Sequence, residues 1–213
     1  MKRIVVLISG QGSNLKALIE ACHQKKLSAE ISAVVSNNTS AYGLKYAINM
    51  NINIHTINKT QFTGSEEFDR ALIAVIDYYK PDVVVLAGYM LILSNEFVTH
   101  YFGRLLNIHP SLLPLYPGLH THRNALQNGD LIHGTSVHFV TDQLDSGPLI
   151  LQAKVPIFSN DNEITLAHRV KNKEHIIYPI VIGWVLSGRV ILSDNAVWLD
   201  GIKLPPEGYC IDI

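Results

Sequence analysis

The sequence predicts an α/β chain whose core is a doubly wound, mostly parallel sheet with helices on both faces. Ile4–Ile8 and the run 82–88 are continuous β-branched and leucine stretches without polar alternation, the pattern of strands covered on both sides. Stretches between them carry apolar residues at helical spacing, as at Leu15, Leu18, Ile19 and Cys22. Strand and helix alternate in this way through the first hundred residues, which gives a central strand order of 3-2-1-4. Ligands on such sheets sit beyond the carboxyl ends of the strands.

The first strand ends in Ser9-Gly10-Gln11-Gly12-Ser13-Asn14, and a helix follows at once. A glycine turn opening a helix aims backbone N–H groups and a positive helix end at an anion, and Ser13 and Asn14 can cap or donate there. It is not a dinucleotide fingerprint. Leu15 stands where the third glycine belongs, and the second strand, Ile31–Val35, ends in Ser36-Asn37-Asn38 rather than an acidic residue. NAD is thereby disfavoured, leaving a single phosphate or merely a tight βα turn.

Next come a helix over Ala41–Met50, a strand over Ile52–Ile57, a loop from Lys59 to Gly64, and a helix over Glu66–Tyr79 with Phe68, Leu72, Val75, Ile76 and Tyr79 on one side. Pro81 stops it before the fourth strand. Tyr89-Met90-Leu91-Ile92-Leu93 is apolar and too short for a helix, so it is either core or one wall of a slot for a flat ligand. Ser94 caps a short helix through His100.

Leu105–His109 is an apolar strand that ends abruptly, because Pro110 cannot donate to a ladder and biases His109 toward extended backbone. Asn107 and His109, two apart, then project from one face. An amide and an imidazole there suit acyl-type chemistry: the amide holds a developing oxyanion and the ring carries a proton. The alternative is a polar strand end capping a turn. Tyr116-Pro117-Gly118 and His120-Thr121-His122 form a loop, and no third ligand at metal spacing accompanies the two histidines, so no metal is expected.

Arg123–Asn128 reads as a brief helix ending at Gly129, with strands over Ile132–Val140 and Leu149–Ile157. Asp145, before Ser146-Gly147-Pro148, either initiates a turn or serves the site. From Asp161 a long helix carries Lys171 and Glu174 on its polar side as an i, i+3 pair, with Pro179 kinking or splitting it before Trp184. A hairpin of Val190-Ile191-Leu192 and Ala196-Val197-Trp198 follows.

With 213 residues, 47% apolar and 16% charged, the chain fits one well-buried domain. A net charge of −1 leaves no footprint for nucleic acid or an acidic membrane, and no run reaches spanning length. Cys22 and Cys210 lie far from each other and outside any CxxC, which fits a reducing cytoplasm better than a disulfide or zinc framework. The segment after Met1-Lys2-Arg3 is too short for a signal sequence. A cytoplasmic protein is expected.

Asn107-x-His109-x-Ser111-Leu112-Leu113-Pro114, followed by Asp145-x-Gly147, resembles the catalytic set of the folate-dependent formyltransferases. Gly10-Gln11-Gly12-Ser13-Asn14 narrows the resemblance to the branch that formylates 5-phosphoribosylglycinamide (GAR) in purine synthesis, and the similarity runs on through 134–140 and 204–209. It implies a single formyltransferase domain, Rossmann-like and phosphate-binding over 1–100, catalytic and folate-binding over 101–213. Asn107, His109 and Asp145 would be catalytic, the carboxylate favouring the charged form of the ring. Gly12, Ser13, Asn14, Lys171 and Glu174 would hold GAR. Met90, Leu91, Ile92 and Leu93, with Asn107 and the loop of Val140, Thr141, Asp142, Gln143, Leu144 and Asp145, would enclose the pterin of the cosubstrate 10-formyltetrahydrofolate. No metal or NAD takes part, and the expected assembly is a monomer or weak homodimer with small-molecule partners.

One position departs from the family pattern. Ser65 stands where these enzymes often place an arginine, three residues before the aromatic-Asp pair Phe68-Asp69, so contact with the outer folate is the expected point of difference. Three rival readings predict other features. A methionyl-tRNA formyltransferase would need a basic nucleic-acid-binding extension, and a formyltetrahydrofolate hydrolase a regulatory domain ahead of Ile4. A non-catalytic nucleotide-binding module would bind a cofactor without turnover.

Overall fold

The computed structural model describes residues 1–211. The chain forms two compact units that divide after Leu106. The first unit contains β1 (Lys2–Ile8), α1 (Ser13–His23), β2 (Ala29–Ser36), α2 (Leu44–Asn49), β3 (Asn53–Thr56), α3 (Ser65–Tyr78), β4 (Val83–Leu86) and α4 (Asn95–His100). Its strands lie in the order β4-β1-β2-β3, all parallel, as the alternation of elements predicts. Ile4 to Ile8 and Val84 to Val85 have no solvent exposure, which is why these runs lack polar alternation.

Local chemistry sets the ends of the helices. On α3, Phe68, Leu72 and Ile76 form the buried stripe at intervals of four. Asp69, on the same side, is also buried and accepts from the Ser94 N–H at 2.6 Å. Ser94 in turn caps α4, its Oγ accepting from the Phe97 N–H at 3.3 Å. The helix expected over Ala41–Met50 is shorter and starts at Leu44, because Ala41 to Gly43 turn back toward the first loop, where the Gly43 N–H donates to the Gly10 carbonyl at 3.0 Å.

β5 (Leu105–His109) spans the division between the units. The second unit continues with α5 (Thr121–Asn128), β6 (Ile132–Phe139), β7 (Leu149–Pro156), α6 (Glu163–Leu186), β8 (Val190–Ser193), β9 (Ala196–Leu199), β10 (Ile202–Lys203) and β11 (Tyr209–Ile211). The strand order here is β5-β6-β7-β11, with β6 and β7 antiparallel and β11 parallel to β7. β8, β9 and β10 form a separate antiparallel sheet that includes the predicted hairpin.

Pro179 does not split the long helix; α6 runs unbroken from Glu163 to Leu186. Proline removes one backbone bond. Burial compensates: Ile177, Tyr178, Val181 and Ile182 are at most 1% exposed on either side of it, and each fully buried aliphatic side chain contributes about 1.5–3 kcal/mol. The amino end is fixed by a capping box, in which Asn162 Oδ1 accepts from the Thr165 N–H and Thr165 Oγ1 accepts from the Asn162 N–H, both at 3.0 Å.

Candidate active site

In the first unit, the turn after β1 is built from backbone. Gly12 caps α1 in the left-handed region, at φ +72°, and a Cβ there would lie 2.5 Å from the Gly43 Cα. No side chain caps this helix end, so the N–H groups following Gly12 are presented by a backbone turn, and Ser13 and Asn14 begin the helix itself. Ser9, immediately before the turn, ties it to the segment after β4. Its Oγ donates to Asn37 Oδ1 at 2.6 Å and accepts from the Met90 N–H at 2.8 Å. Of the apolar run that follows, only Leu93 is core; Met90 and Ile92 are 66% and 73% exposed, which removes the ordinary-core reading for them and leaves an uncovered apolar face.

In the second unit, the strand end at Asn107 and His109 meets the loop between β6 and β7. His109 Nδ1 lies 3.3 Å from Asp145 Oδ2, with both side chains at most 8% exposed. The other ring nitrogen, Nε2, donates to the Tyr116 carbonyl at 2.8 Å. Both nitrogens of the ring therefore face acceptors. Asp145 accepts on both oxygens: Oδ2 from the Gly118 N–H at 2.9 Å, and Oδ1 from Asn107 Nδ2 at 3.4 Å. Asn107 Nδ2 also lies 3.2 Å from His138 Nε2. Asp145 itself holds a positive φ of +48°, consistent with a turn residue, so the turn role and the proximity to His109 coexist.

A buried polar scaffold fixes the chain after the strand. Thr135 Oγ1 donates to the His109 carbonyl at 2.9 Å and Ser136 Oγ to the Ser111 carbonyl at 2.6 Å. Gln152 Nε2 donates to the Leu113 carbonyl and to Ser136 Oγ, each at 2.8 Å. Backbone that leaves a sheet must find such partners when it is buried.

The remaining predicted residues fall as follows. Lys171 is exposed on α6, whereas Glu174, one turn on, is only 6% exposed, so the two do not form a solvated surface pair. Asp142, Gln143 and Leu144 are exposed in the loop, and Val140 and Thr141 are half-buried at its start. His122 packs on His133, with Nδ1 and Nε2 3.2 Å apart. Burial pushes both rings down, His133 to about 4. Among the described residues, no group of three or more His, Cys, Asp or Glu is placed to hold a metal.

Sequence reasoning missed His138, the Tyr116 carbonyl, the Gly118 N–H and Ser9. Two of these act through the backbone and leave no residue signal. His138 left one: a second histidine, in addition to His133, in a strand that is otherwise apolar or small.

A family model described as formyl transferase matches residues 2–182. The chain is 60% identical over 209 residues to phosphoribosylglycinamide formyltransferase of Escherichia coli (strain K12), covering 98% of this chain and 99% of that protein. The protein of the same name from Haemophilus influenzae is 46% identical over the same shares. Among solved structures, phosphoribosylglycinamide formyltransferase of Coxiella burnetii in complex with CHES superposes with a TM-score of 0.95 at 50% identity, covering 99% of both chains.

Proposed function

Because the chain belongs to the formyl transferase family, we propose that it transfers the formyl group of 10-formyltetrahydrofolate to the glycinamide amine of GAR, giving formyl-GAR and tetrahydrofolate in purine synthesis. The observation that carries this reading is the convergence of Asn107, His109 and Asp145, with the carboxylate within 3.4 Å of both the amide and the ring.

The roles follow from what each group offers. As the amine adds to the formyl carbon, an oxyanion develops, and the Asn107 N–H donates to it. A single donor of this kind is worth about 3–4 kcal/mol of barrier. His109, oriented by Asp145 at 3.3 Å from its Nδ1, stabilises the same charge. One C–N bond forms and one breaks; the amine gives up a proton and N10 takes one up, with His109 passing it directly or through water. The Nε2–H, which donates to the Tyr116 carbonyl, is the ring donor facing away from Asp145.

Gly12, Ser13 and Asn14 hold the GAR phosphate, and Lys171 and Glu174 hold its ribosyl-glycinamide portion. Met90 and Ile92, exposed on the apolar segment that runs through Leu91 to Leu93, suit the face of a flat pterin; backbone groups of the Val140–Asp145 loop suit its polar edge. Ser65, exposed at the start of α3, offers no charge to the folate tail.

The test is incubation with 10-formyltetrahydrofolate, with and without GAR, following the deformylated folate. GAR-dependent formation is the expected result. GAR-independent formation would make the protein a hydrolase, and no formation at all would leave a binding module.

A further inference from the structure

His138 is a buried titratable group with no part in the chemistry above. It lies on β6, is 2% exposed, and gives its two ring nitrogens different neighbours. Nδ1 is 2.8 Å from the Phe139 carbonyl, which can only accept, so Nδ1 carries the hydrogen. In the neutral ring Nε2 then keeps a lone pair, and it lies 3.2 Å from Asn107 Nδ2. An amide has one donating end and one accepting end, and only the NH2 satisfies that lone pair. Asp145 Oδ1, 3.4 Å from the same nitrogen, selects the same end.

We infer that His138 is a positioning residue for formyl transfer: held as its Nδ1–H tautomer by the Phe139 carbonyl, it accepts one hydrogen of the Asn107 amide and so fixes which end of that amide meets the oxyanion. This rests on the reading of Asn107 as oxyanion donor. The 3.2 Å bond anchors the amide, while the hydrogen that spans 3.4 Å to Asp145 is loosely held and turns to the substrate.

The surroundings keep the ring suited to this role. The titratable groups around it are Asp145, whose Oδ1 is 3.9 Å from Nε2, and His109. Complete burial pushes His138 below the ordinary histidine range, outweighing the opposite pull of the Phe139 carbonyl and Asp145. Gly147 preserves the space: a Cβ there would run into the Phe139 carbonyl and stand 3.3 Å from His138 Nδ1.

The test separates the two ring nitrogens. His138→Asn keeps a donor for the Phe139 carbonyl and removes the acceptor, whereas His138→Gln places an amide oxygen near where Nε2 stands. His138→Asn is expected to lower kcat about 10²-fold, the scale of one oxyanion donor, with KM for both substrates within about twofold. His138→Gln recovers most of the loss. In an Asn107→Ala background His138→Asn costs nothing further, because the two act as one unit. Unchanged kcat in His138→Asn, or a loss that multiplies with Asn107→Ala, overturns the inference.

Nitrogen-15 spectra of the imidazoles read the tautomer in the wild-type protein and do not depend on any variant folding. A neutral, Nδ1-protonated His138 at pH 7, with an Nε2 signal that moves in Asn107→Ala, is expected; an Nε2–H or charged ring overturns it. If Asn107→Ala turns over normally, the transfer reading itself fails. A slow Asn107→Ala beside a normal His138→Asn defeats only the positioning role.

Discussion

The turn at Gly10–Asn14 and the cluster around Asp145 are built by opposite means. The first is consecutive backbone: a left-handed glycine, a close approach to Gly43, and a helix end. The second is side chains from separate stretches, Asn107 with His109, His138 and Asp145, closed by two backbone groups from the loop at 116–118. An anion needs only N–H groups and a positive helix end, which a short contiguous segment supplies. A charge that exists only in a transition state needs donors already oriented and sheltered from water, which takes long-range packing. Binding should therefore depend on the turn, and rate on the cluster.

The largest expected effect tests the cluster. His109→Ala and Asp145→Ala should each lower kcat by up to about 10⁴-fold while leaving KM nearly unchanged. Steady-state kinetics decide this, and a near-wild-type rate in either variant removes the assigned roles. Asn107→Ala follows, with a loss of about 10²–10³-fold in kcat on the same assay.

Gly12→Ala probes the other side of the contrast. An L side chain at φ +72° against Gly43 should cost about 2–4 kcal/mol of stability, seen in denaturant melts, and should raise KM for GAR more than it lowers kcat. A pure kcat defect would break the distinction between the two regions.

The smallest effect concerns pH and belongs to the second unit, where the buried rings lie. His133 is pushed to about 4 by burial, below its ordinary value of 6.5. Between those values the unfolded chain binds a proton that the folded ring refuses, so stability is complete above pH 6.5 and declines as pH falls toward 4. The slope from this one group is at most about 1.4 kcal/mol per pH unit. His133→Gln should flatten it in melts taken across that range.

Much of this was legible from residues alone, for local reasons. The order β4-β1-β2-β3 follows from uninterrupted β-branched runs alternating with helical stripes, and Asn107 with His109 was exposed as a pair by Pro110 ending their strand. β11 was not legible, because a three-residue strand in a Pro- and Gly-containing tail carries no period. The continuity of α6 through Pro179 was not legible either, since local propensity speaks against it and only the buried neighbours of Pro179 override it. His138 reads in the sequence as one more strand residue, and only packing brings its Nε2 to 3.2 Å from an amide 31 positions away.

By itself the sequence determined the alternation of elements, the glycine turn, and the residue types able to carry acyl transfer, because each depends on neighbours within a few positions. The resemblance already named Asp145 as the partner of His109; only the tertiary structure decided how closely the two stand, which ring orients Asn107, and which loop carbonyl occupies the imidazole. Those pairings join residues up to 36 positions apart, and their strength comes from the exclusion of water, which exists only after the chain has packed.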